Sequence, residues 1–477
     1  MKYCILGAAK SGVAAAVLAN TINHINFANN SSATNLVFVR ELLAKENFFD
    51  SVKLFDSLGI KYEFGAESQT QIKAETTLHN YDALIISPGV PSDAPFILVA
   101  KQIGIPIYSE LEFASQHINN PIIAITGTNG KTTTTTLINF ILNNANINSI
   151  EAGNIGIPLS EIATKILNKN ITEDSVIVVE VSSYQLEYIE KFKPSIAVIL
   201  NITPDHLKYH KTMQNYINAK LKIASNQNEN DILIINADDE NIDCRDVEKF
   251  KKQHNIKSNI YKFSLSSVNR GMYVADGKII YSLHKIKEEE IMQTKEIKIP
   301  GVHNQYNSMA AAIVAKVWQL SNEDIRDGLK KFSGVEHRLE FVKTINGVDY
   351  INDSKATNVN ATWYALNSYD RPLIWIAGGR GDNNDYLMLD KSVLQNVKHI
   401  ITFGEEKEAI FSHYNGLVNC IQTDNIYTAV NTAYKKSVKD DIVLFSPACK
   451  SFDQFMNFEH RGECFKQAVH QLLGMIN

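Results

Sequence analysis

The stretch PIIAITGTNGKTTTTT, residues 121–136, decides the fold of the central part of this chain. A short β-branched run at residues 122–125 breaks into the glycine-bounded segment GTNG, residues 127–130, and Lys131 and a run of threonines follow. The next residues, LINFILNN, place apolar side chains at helical spacing. This order predicts a strand, a phosphate-binding loop and a helix.

The chemistry of this loop suits a polyphosphate. Two glycines let backbone N–H groups turn toward an anion, and the helix N-terminus adds partial positive charge. Lys131 would reach the terminal phosphates, and the Thr132 hydroxyl would hold Mg²⁺. The loop reads G-x-x-G-K-T, shorter than the common eight-residue pattern, whose first glycine would fall on Ile125. A glycine turn with a solvated lysine is the alternative, and the order of strand, glycines, Lys-Thr pair and helix favours the phosphate loop.

The length and composition bound the remaining possibilities. A chain of 477 residues is too long for one core and predicts about two to four domains. The net charge of −5 gives no support for nucleic-acid binding. We find no leader-like N-terminus and no apolar run near the about 18 residues of a membrane helix, so we expect a cytoplasmic protein. Five scattered cysteines without a C-x-x-C pair are typical of reduced thiols.

The first part of the chain predicts a small doubly wound parallel sheet, ending near residue 117. A strand, a turn at residues 7–12 and an Ala-rich helix open it, although GAAKSG lacks the middle glycine of G-x-G-x-x-G. The runs LVFVRE and YDALIISPGVP add strands. Residues 7–12, Arg40-Glu41 and Ser87-Pro88-Gly89 all follow strands, where ligands of such sheets bind. Each alone reads as an ordinary turn, and together they favour a site for an anionic ligand.

Two later strands of the central part end in candidate metal ligands. SVIVVEVSSYQLE closes near Glu180, and SIAVILNITPDHL closes near Asp205-His206. A carboxylate or histidine at a strand end is commonly a solvated rim residue, but downstream of a phosphate loop we favour a role at a nucleotide-bound Mg²⁺. Residues 231–300 predict further strands, some of them antiparallel, and HNQYNSMAAAIVAKVWQL predicts a helix.

A third unit begins near Gly334. It contains the strand-like runs GVEHRLEFV, GVDYINDSKATN, PLIWIAGGRGD, KHIITFGEE and DIVLFSPACKSFDQF, separated by helical stretches. These runs end in polar or glycine turns. They predict another α/β sheet with its loop chemistry on one rim.

Nine motifs follow one another along nearly the whole chain: GTNGKTT (127–133), GNIG (153–156), EVSSYQLE (180–187), NITPDHL (201–207), AKLKI (219–223), HNQYN (303–307), EHR (336–338), NDSKATN (352–358) and SPACKSFDQFMNFEHRG (446–462). Together they resemble the Mur ligases, the ATP-dependent amide ligases of peptidoglycan synthesis. The last two are similar in particular to the D-glutamate-adding branch of that family.

The resemblance implies three α/β domains and a reaction. A Rossmann-like UDP-sugar-binding domain would span residues 1–117, a P-loop ATP-binding domain with a mostly parallel sheet 118–334, and a Rossmann-like amino-acid-binding domain 335–477. The substrates would be ATP, UDP-N-acetylmuramoyl-L-alanine and D-glutamate, joined through an acyl phosphate. It also implies a monomer with open and closed forms.

The resemblance also assigns roles to individual residues. It implies catalytic roles for Lys131, His206 and Lys220, and metal roles for Thr132, Glu180, His206 and Lys220, with Lys220 carbamylated. The implied nucleotide contacts are Gly127, Thr128, Asn129, Gly130, Lys131, Thr132, Thr133, Asn307, Arg338, Asp353 and Lys355. The implied substrate contacts are Ser87, Gly89, Asn154, Ser182, Gln185, Thr357, Ser451 and Phe458, the last through its backbone.

Read in isolation, several of these residues have plainer explanations. Lys220 would be a surface helix lysine, Asn307 a helix-cap amide, and Thr357 and Ser451 turn hydroxyls. The chain also lacks the lysine that many D-glutamate-adding members carry after the glycine pair of the third domain, and Arg380 is the candidate replacement. The resemblance assigns Glu41 and its neighbour Arg40 to the uridine end.

Two rival functions stay open. One is a relative with another amino acid or acceptor, such as another Mur ligase or a folylpolyglutamate synthetase. The motifs NDSKATN and SFDQF speak against it. The other is a regulatory or transport ATPase without ligase chemistry, which would need neither a UDP-sugar domain nor the loops of the third domain.

Overall fold

The computed structural model describes residues 1–26, 36–154, 156–242, 244, 247–283, 287–381 and 384–472. These residues form three sheets with helices between their strands, as the α/β prediction requires. The chain divides into two compact units, Met1–Thr294 with Tyr306–Gly328, and Lys295–Gln305 with Leu329–Asn477. Among the helices of these residues we find none with the length and apolarity that crossing a bilayer requires. The domain boundaries at residues 117/118 and 334/335 stay predictions.

The first sheet has the strand order β3-β2-β1-β4-β5, and its paired strands are parallel. This confirms the predicted doubly wound sheet. Its strands are β1 (Tyr3–Leu6), β2 (Val37–Glu41), β3 (Lys61–Phe64), β4 (Ala83–Ile86) and β5 (Ile107–Ser109). Its helices are α1 (Lys10–Asn26), α2 (Phe49–Leu58), α3 (Gln71–Leu78), α4 (Pro95–Ile103) and α5 (Glu110–Ser115).

The chain order reverses between β1 and β4, and two glycines let the loops after these strands approach closely. Gly7 has φ +107°, and a Cβ there would lie 2.4 Å from Ser87 Oγ. A Cβ at Gly12 would lie 2.0 Å from the Gly7 carbonyl oxygen. Glycine is therefore required at both positions, and the turn that lacks the middle glycine still sits at the ligand-binding edge of the sheet.

The second sheet has the order β14-β13-β12-β11-β10-β9-β6-β8-β7. It is parallel from β7 to β12, and β12, β13 and β14 pair antiparallel, as expected for some strands there. Its strands are β6 (Ile122–Thr126), β7 (Ser149–Gly153), β8 (Val176–Glu180), β9 (Ile196–Ile199), β10 (Ile232–Asn236), β11 (Asn259–Ser264), β12 (Arg270–Ala275), β13 (Lys278–Leu283) and β14 (Lys287–Gln293). Its helices are α6 (Lys131–Asn144), α7 (Leu159–Leu167), α8 (Ser183–Glu187), α9 (Leu207–His210), α10 (Met213–Leu221), α11 (Val247–His254), α12 (Val302–Val317) and α13 (Asn322–Lys331).

The strands around the phosphate loop follow the prediction except at one end. Strand β8 ends at Glu180 as predicted, whereas β9 ends at Ile199, well before Asp205-His206. The reason is that Asn201 turns toward the phosphate loop, where its carbonyl oxygen accepts the N–H of Thr128 at 2.8 Å.

The first and second sheets both belong to the unit Met1–Thr294 with Tyr306–Gly328, and they share a hydrophobic core. Helix α5 connects them: Leu111 and Phe113 are fully buried, and the Phe113 ring lies 5.0 Å from that of Tyr3. Each such side chain stabilises the fold by about 1.5–3 kcal/mol. At the start of α5, Glu110 accepts the backbone N–H of Ser160 in α7.

The third sheet has the order β15-β16-β20-β17-β18-β19, parallel except for the β15–β16 pair. The strand-like runs of the sequence are confirmed, and β19 is an additional strand. The strands are β15 (Glu340–Ile345), β16 (Val348–Asn352), β17 (Leu373–Gly378), β18 (Val397–Phe403), β19 (Asn419–Gln422) and β20 (Ile442–Phe445). The helices are α14 (Val359–Leu366), α15 (Asp390–Asn396), α16 (Lys407–Tyr414), α17 (Ile426–Lys436) and α18 (Phe458–Gln471).

Candidate active site

The loop between β6 and α6 is held from both sides by Asn201. The Asn201 side chain accepts the N–H of Asn129 at 2.8 Å and donates to the Asn129 carbonyl oxygen at 3.0 Å. Gly130 has φ +85°, and a Cβ there would lie 2.5 Å from Asn307 Oδ1. The loop geometry therefore depends on glycine at this position, and Asn307 of α12 lies directly beside it.

Lys131 begins α6 and folds back over the loop. Its ammonium group donates to the carbonyl oxygens of Gly127 and Thr128, each at 2.9 Å. Lys131, Thr132 and Thr133 form the first turn of the helix, whose leading N–H groups lack acceptors within the helix. Together they form a cationic cradle of the kind that binds phosphate.

A buried carboxylate lies beside this turn. Glu180, at the end of β8, accepts the Thr132 hydroxyl at 2.7 Å and the Asn154 amide at 3.1 Å. Only 2% of Glu180 and 8% of Thr132 are exposed. A Cβ at Gly153 would lie 2.1 Å from the Glu180 carbonyl oxygen, so glycine is needed where β7 and β8 end. A hydroxyl and a carboxylate oxygen at this spacing suit a hard divalent cation. Ile155 of the GNIG motif lies outside the described residues.

Lys220 is a buried lysine at the same loop. Only 1% of it is exposed, and its Nζ donates to the Gly127 carbonyl oxygen at 2.8 Å. The Nζ also lies 4.7 Å from the centre of the Tyr216 ring. Burial, together with the positive charge of Lys131, lowers the pKa of Lys220 well below its ordinary value. The ordinary surface lysine is therefore excluded.

His206 faces the two lysines. Burial lowers its pKa, Asp205 acts in the opposite direction, and the charges of Lys131 and Lys220 lower it further. Its Nε2 lies 3.3 Å from Asp205 Oδ2. His206 has φ +53°, a left-handed conformation that costs a β-carbon-bearing residue about 1–3 kcal/mol and is found preferentially at functional sites. Lys131, His206 and Lys220 thus share one electrostatic environment.

A small cavity lies between the loop after β4 and helix α8. The Tyr184 ring lines it and contacts the His206 ring, with 5.1 Å between centroids. Ser87 Oγ and Tyr188 OH line it too, and both atoms are buried without a hydrogen-bond partner among the described residues. Other residues of its wall are Gly89, Gln185, Ser109 and Tyr209.

Ser182 and Gln185 also have a structural role. Ser182 is the N-cap of α8, and it exchanges hydrogen bonds with Gln185 in a capping box. The position of Gln185 is therefore fixed on the cavity wall.

In the other unit, the loops after β16 and β20 meet. Asp353 accepts the Ser446 hydroxyl at 2.8 Å and the N–H of Leu339 at 3.2 Å. Burial raises the pKa of Asp353 to about 7. Arg338 lies between two residues of positive φ, His337 at +63° and Leu339 at +44°. The loop that carries Arg338 is therefore strained and held by Asp353.

The three residues predicted to bind the amino acid, Thr357, Ser451 and Phe458, lie in or directly after these loops of the third sheet. Ser354 Oγ donates to the Phe458 carbonyl oxygen at 2.8 Å, and the Lys355 ammonium lies 5.7 Å from the Phe458 ring centre. Thr357 follows on the same loop, and Ser451, which is 2% exposed, follows β20. Phe458 is the first residue of α18, so its N–H is one of the helix's leading donors.

Comparison with known proteins identifies the family. A model of the Mur ligase middle domain matches residues 125–315, and a model of the Mur ligase glutamate ligase domain matches residues 337–449. The UDP-N-acetylmuramoylalanine–D-glutamate ligase of Salinibacter ruber is 38% identical over 98% of this chain and 97% of its own length. The enzyme of the same name from Bacteroides fragilis is 40% identical over 99% of this chain and 100% of its own. This chain belongs to the Mur ligase family.

Mur ligases are ATP-dependent enzymes that form amide bonds in peptidoglycan synthesis, and this Mur ligase shares their fold. The MurF ligase from Thermotoga maritima, solved in complex with ADP, aligns with 91% of this chain and 95% of its own at a TM-score of 0.57 and 15% identity. The predicted fold class and the resemblance are confirmed.

In this Mur ligase, side chains that two sequence-based assignments gave to ligands are bound to other protein groups. Arg380, the candidate for the missing lysine, forms a bidentate pair with Glu405, at 2.8 and 2.9 Å. Arg40 is buried and bound to Glu63, while Glu41 accepts the N–H of Ala8 in the first glycine turn. Asp382 and Asn383, which follow Arg380, lie outside the described residues.

Sequence reasoning missed residues that hold this site together. Asn201 braces the phosphate loop, Tyr216 covers Lys220, and Arg461 connects the loops around Phe458. Asn201 and Arg461 stand inside quoted motifs, but their roles depend on contacts between segments far apart in sequence. No local pattern pointed to Tyr216, since an aromatic residue on an amphipathic helix is most simply a core residue.

Proposed function

We propose that this Mur ligase joins D-glutamate to the L-alanine carboxyl group of UDP-N-acetylmuramoyl-L-alanine. The relatives named for that activity are similar over the whole chain. The observation that carries the proposal is the arrangement around Tyr184. Its ring lines the cavity and contacts His206, whose pKa responds to Lys131 and Lys220. A substrate in the cavity would thus present its reacting end to the phosphate loop.

The reaction has two steps. An oxygen of the alanine carboxylate forms a bond to the γ-phosphorus of ATP, and the bond from that phosphorus to ADP breaks. The neutral amino group of D-glutamate then attacks the acyl carbon, loses a proton, and expels inorganic phosphate as the amide forms. A carboxylate is a poor electrophile, so this activation is needed, and the protein contributes mainly positioning and charge neutralisation.

The residues on the ATP side fit the proposed roles. Gly127, Thr128, Asn129 and Gly130 would surround the phosphates with backbone N–H groups, and the first turn of α6 would add those of Lys131, Thr132 and Thr133. The Lys131 ammonium would exchange its carbonyl acceptors for phosphate oxygens. Asn307, already in contact with the loop, would meet the adenine.

The donor sets fit two magnesium ions. Thr132 and Glu180 would hold one, since their oxygens are 2.7 Å apart in a buried place. His206 and a carbamylated Lys220 would hold the other. Bound there, the ions would neutralise phosphate and carboxylate charge.

A carbamate at Lys220 has a physical rationale. Only a neutral amine reacts with CO₂, forming the N–C bond and releasing one proton, and the lowered pKa of Lys220 supplies that form. An ammonium at this place would repel a cation, whereas a carbamate carries negative charge.

The proposed substrate contacts form two groups. Ser87, Gly89, Asn154, Ser182 and Gln185 would position the muramoyl-alanine part. Thr357, Ser451 and the N–H of Phe458 would bind the carboxylates of D-glutamate. Arg380 would add a guanidinium after leaving Glu405, which costs little because both side chains are about half exposed.

The remaining nucleotide contacts come from the third domain, residues 335–477. Arg338 and Lys355 would act on the phosphates. Asp353 would contribute through the loop of Arg338, since its carboxyl group already accepts from Leu339 and Ser446. With residues 1–117 binding the UDP-sugar and 118–334 binding ATP, we propose a monomer that works in the cytoplasm.

ATP-dependent phosphate release tests the proposal. With UDP-N-acetylmuramoyl-L-alanine present, release should require D-glutamate and should not occur with L-glutamate or meso-diaminopimelate. Release with another amino acid alone would favour a different amide ligase. Release independent of any amino acid would favour an ATPase without ligase chemistry.

A further inference from the structure

Arg461 of α18 is a buried cation with no assigned role. None of its surface is exposed, and it forms hydrogen bonds from all three guanidinium nitrogens. Nε donates to Ser354 Oγ at 3.1 Å, Nη2 to the Ser354 carbonyl oxygen at 2.7 Å, and Nη1 to the Cys449 carbonyl oxygen at 2.9 Å. Every one of these acceptors is uncharged.

The contacts of Arg461 connect the segments proposed to bind the amino acid. Ser354 belongs to the loop of Thr357, and Cys449 lies two residues before Ser451. Ser354 Oγ, which accepts from Arg461, donates in turn to the carbonyl oxygen of Phe458. One guanidinium group thus fixes the relative positions of all three predicted carboxylate contacts.

The guanidinium group of Arg461 has no carboxylate oxygen within ion-pair distance among the residues that the structure describes. Asp353 and Asp453 act on it only from a longer range. Because burial raises the pKa of Asp353 to about 7, that group is only partly ionised at neutral pH. A buried charge without a partner costs several kcal/mol, which an anionic ligand nearby would offset.

We propose that Arg461 is the positioning residue of the amino-acid site, and that its unpaired charge sets the preference of this site for a dicarboxylate. This inference rests on the proposed function and extends it to a residue that would not touch the substrate. The guanidinium holds the three contacts at a fixed spacing and supplies a positive potential behind them.

Arg371 provides a matched control. It too connects loops of the third sheet, donating to the carbonyl oxygens of Asp440 and Asp441 and to Asp349. Asp440 and Asp441 precede β20, so Arg371 lies at the opposite ends of the strands. Loss of Arg371 should lower stability as loss of a cross-link does, without affecting the amino-acid site.

The test compares Arg461→Met, Arg461→Lys and Arg371→Met in the phosphate-release assay, with thermal unfolding measured in parallel. We expect Arg461→Met to raise KM for D-glutamate about tenfold or more and to leave KM for ATP within about twofold, since a charge and three hydrogen bonds are lost. Arg461→Lys should have a KM for D-glutamate between those of Arg461→Met and the unmodified protein, because lysine retains the charge but not the planar set of guanidinium donors. Arg371→Met should lower the unfolding temperature with KM unchanged.

Ser354→Ala covers the case in which Arg461→Met does not fold. It removes the hydroxyl between Arg461 and Phe458 and should raise KM for D-glutamate about threefold. An unchanged KM for D-glutamate in folded Arg461→Met, or in Ser354→Ala if the first variant fails to fold, overturns the inference and leaves the proposed function standing. Absence of any D-glutamate-dependent release in the unmodified protein overturns the proposed function instead.

Discussion

Gly130 shows how one residue determines the shape of the phosphate loop. Its φ of +85° is unfavourable for residues with a β-carbon, and Asn307 Oδ1 occupies the space that a methyl group would need. An added methyl group would have to displace the Asn307 side chain or the loop itself. The glycine is therefore required by both the backbone and its neighbour.

Gly130→Ala should weaken nucleotide binding. We expect KM for ATP to rise about tenfold or more, because the added methyl group displaces Asn307 or the loop itself. Gly59→Ala is the control: it has a similar φ of +66°, but no atom lies within 4 Å of the added carbon. That variant should lose about 1 kcal/mol of stability and retain KM for ATP. Equal KM values for the two variants would contradict this account of the loop.

Lys220 carries the second prediction at this scale. Lys220→Ala should abolish activity, and short-chain carboxylates added to the buffer should partly restore it, since they replace the carbamate oxygens. Lys222→Ala, two residues later on the exposed side, is the control and should remain active. Full activity of Lys220→Ala would show that the carbamate has no role.

The first turn of helix α5 contains a buried carboxyl group, Glu110, whose ionisation lowers the stability of the fold. Glu110 is fully buried, and only one of its two carboxyl oxygens has a partner among the described residues, the N–H of Ser160. Burial therefore raises the pKa of Glu110 to about 7. Between its unfolded pKa and pH 7 the folded state holds a proton that the unfolded chain has lost, so stability falls as the pH rises through this window.

Glu110→Gln should stabilise the protein at pH 8 and have little effect near pH 4. Glutamine resembles the protonated acid, and the relieved cost is up to about 3 kcal/mol. The urea midpoint measured at both pH values checks this. Glu112→Gln is the contrast, because Glu112 accepts the N–H groups of Glu190, Lys191 and Phe192 and should lose stability without its charge. Destabilisation by Glu110→Gln at both pH values would refute the reasoning.

The elements themselves were largely predictable because their signals are local. Strand β8 ends at Glu180 and helix α12 covers the HNQYN motif, since continuous apolar runs and helical spacing are patterns of consecutive residues. The early end of β9 and the role of Arg461 were not predictable. Both depend on bonds between distant segments, Asn201 to Thr128 and Arg461 to Ser354, which no local pattern encodes.

At the scale of the whole molecule, the proposed catalytic residues Lys131, His206 and Lys220 all belong to the first unit. Arg338, a proposed contact of the nucleotide phosphates, belongs to the second. Binding of the nucleotide should therefore depend mainly on the first unit, and phosphoryl transfer on both.

Arg338→Met should separate these two steps. We expect turnover to fall at least about a hundredfold, in line with the loss of an arginine that stabilises a phosphoryl-transfer transition state. The dissociation constant of a non-hydrolysable ATP analogue, measured by calorimetry, should change only a few-fold. Arg371→Met, in the same unit, should affect neither quantity. Turnover that survives in Arg338→Met would remove Arg338 from the mechanism.

The bonds from Lys131 to the carbonyl oxygens of Gly127 and Thr128 have a consequence for selectivity. To bind the Lys131 ammonium group, an incoming anion must displace these carbonyl oxygens from it. A short ion such as free phosphate offers too few additional contacts to win that exchange, whereas a longer chain of phosphates reaches the helix turn and the hydroxyl of Thr132 as well. We therefore expect the loop to favour a longer chain of phosphates over a single phosphate ion, and to bind a released phosphate only weakly.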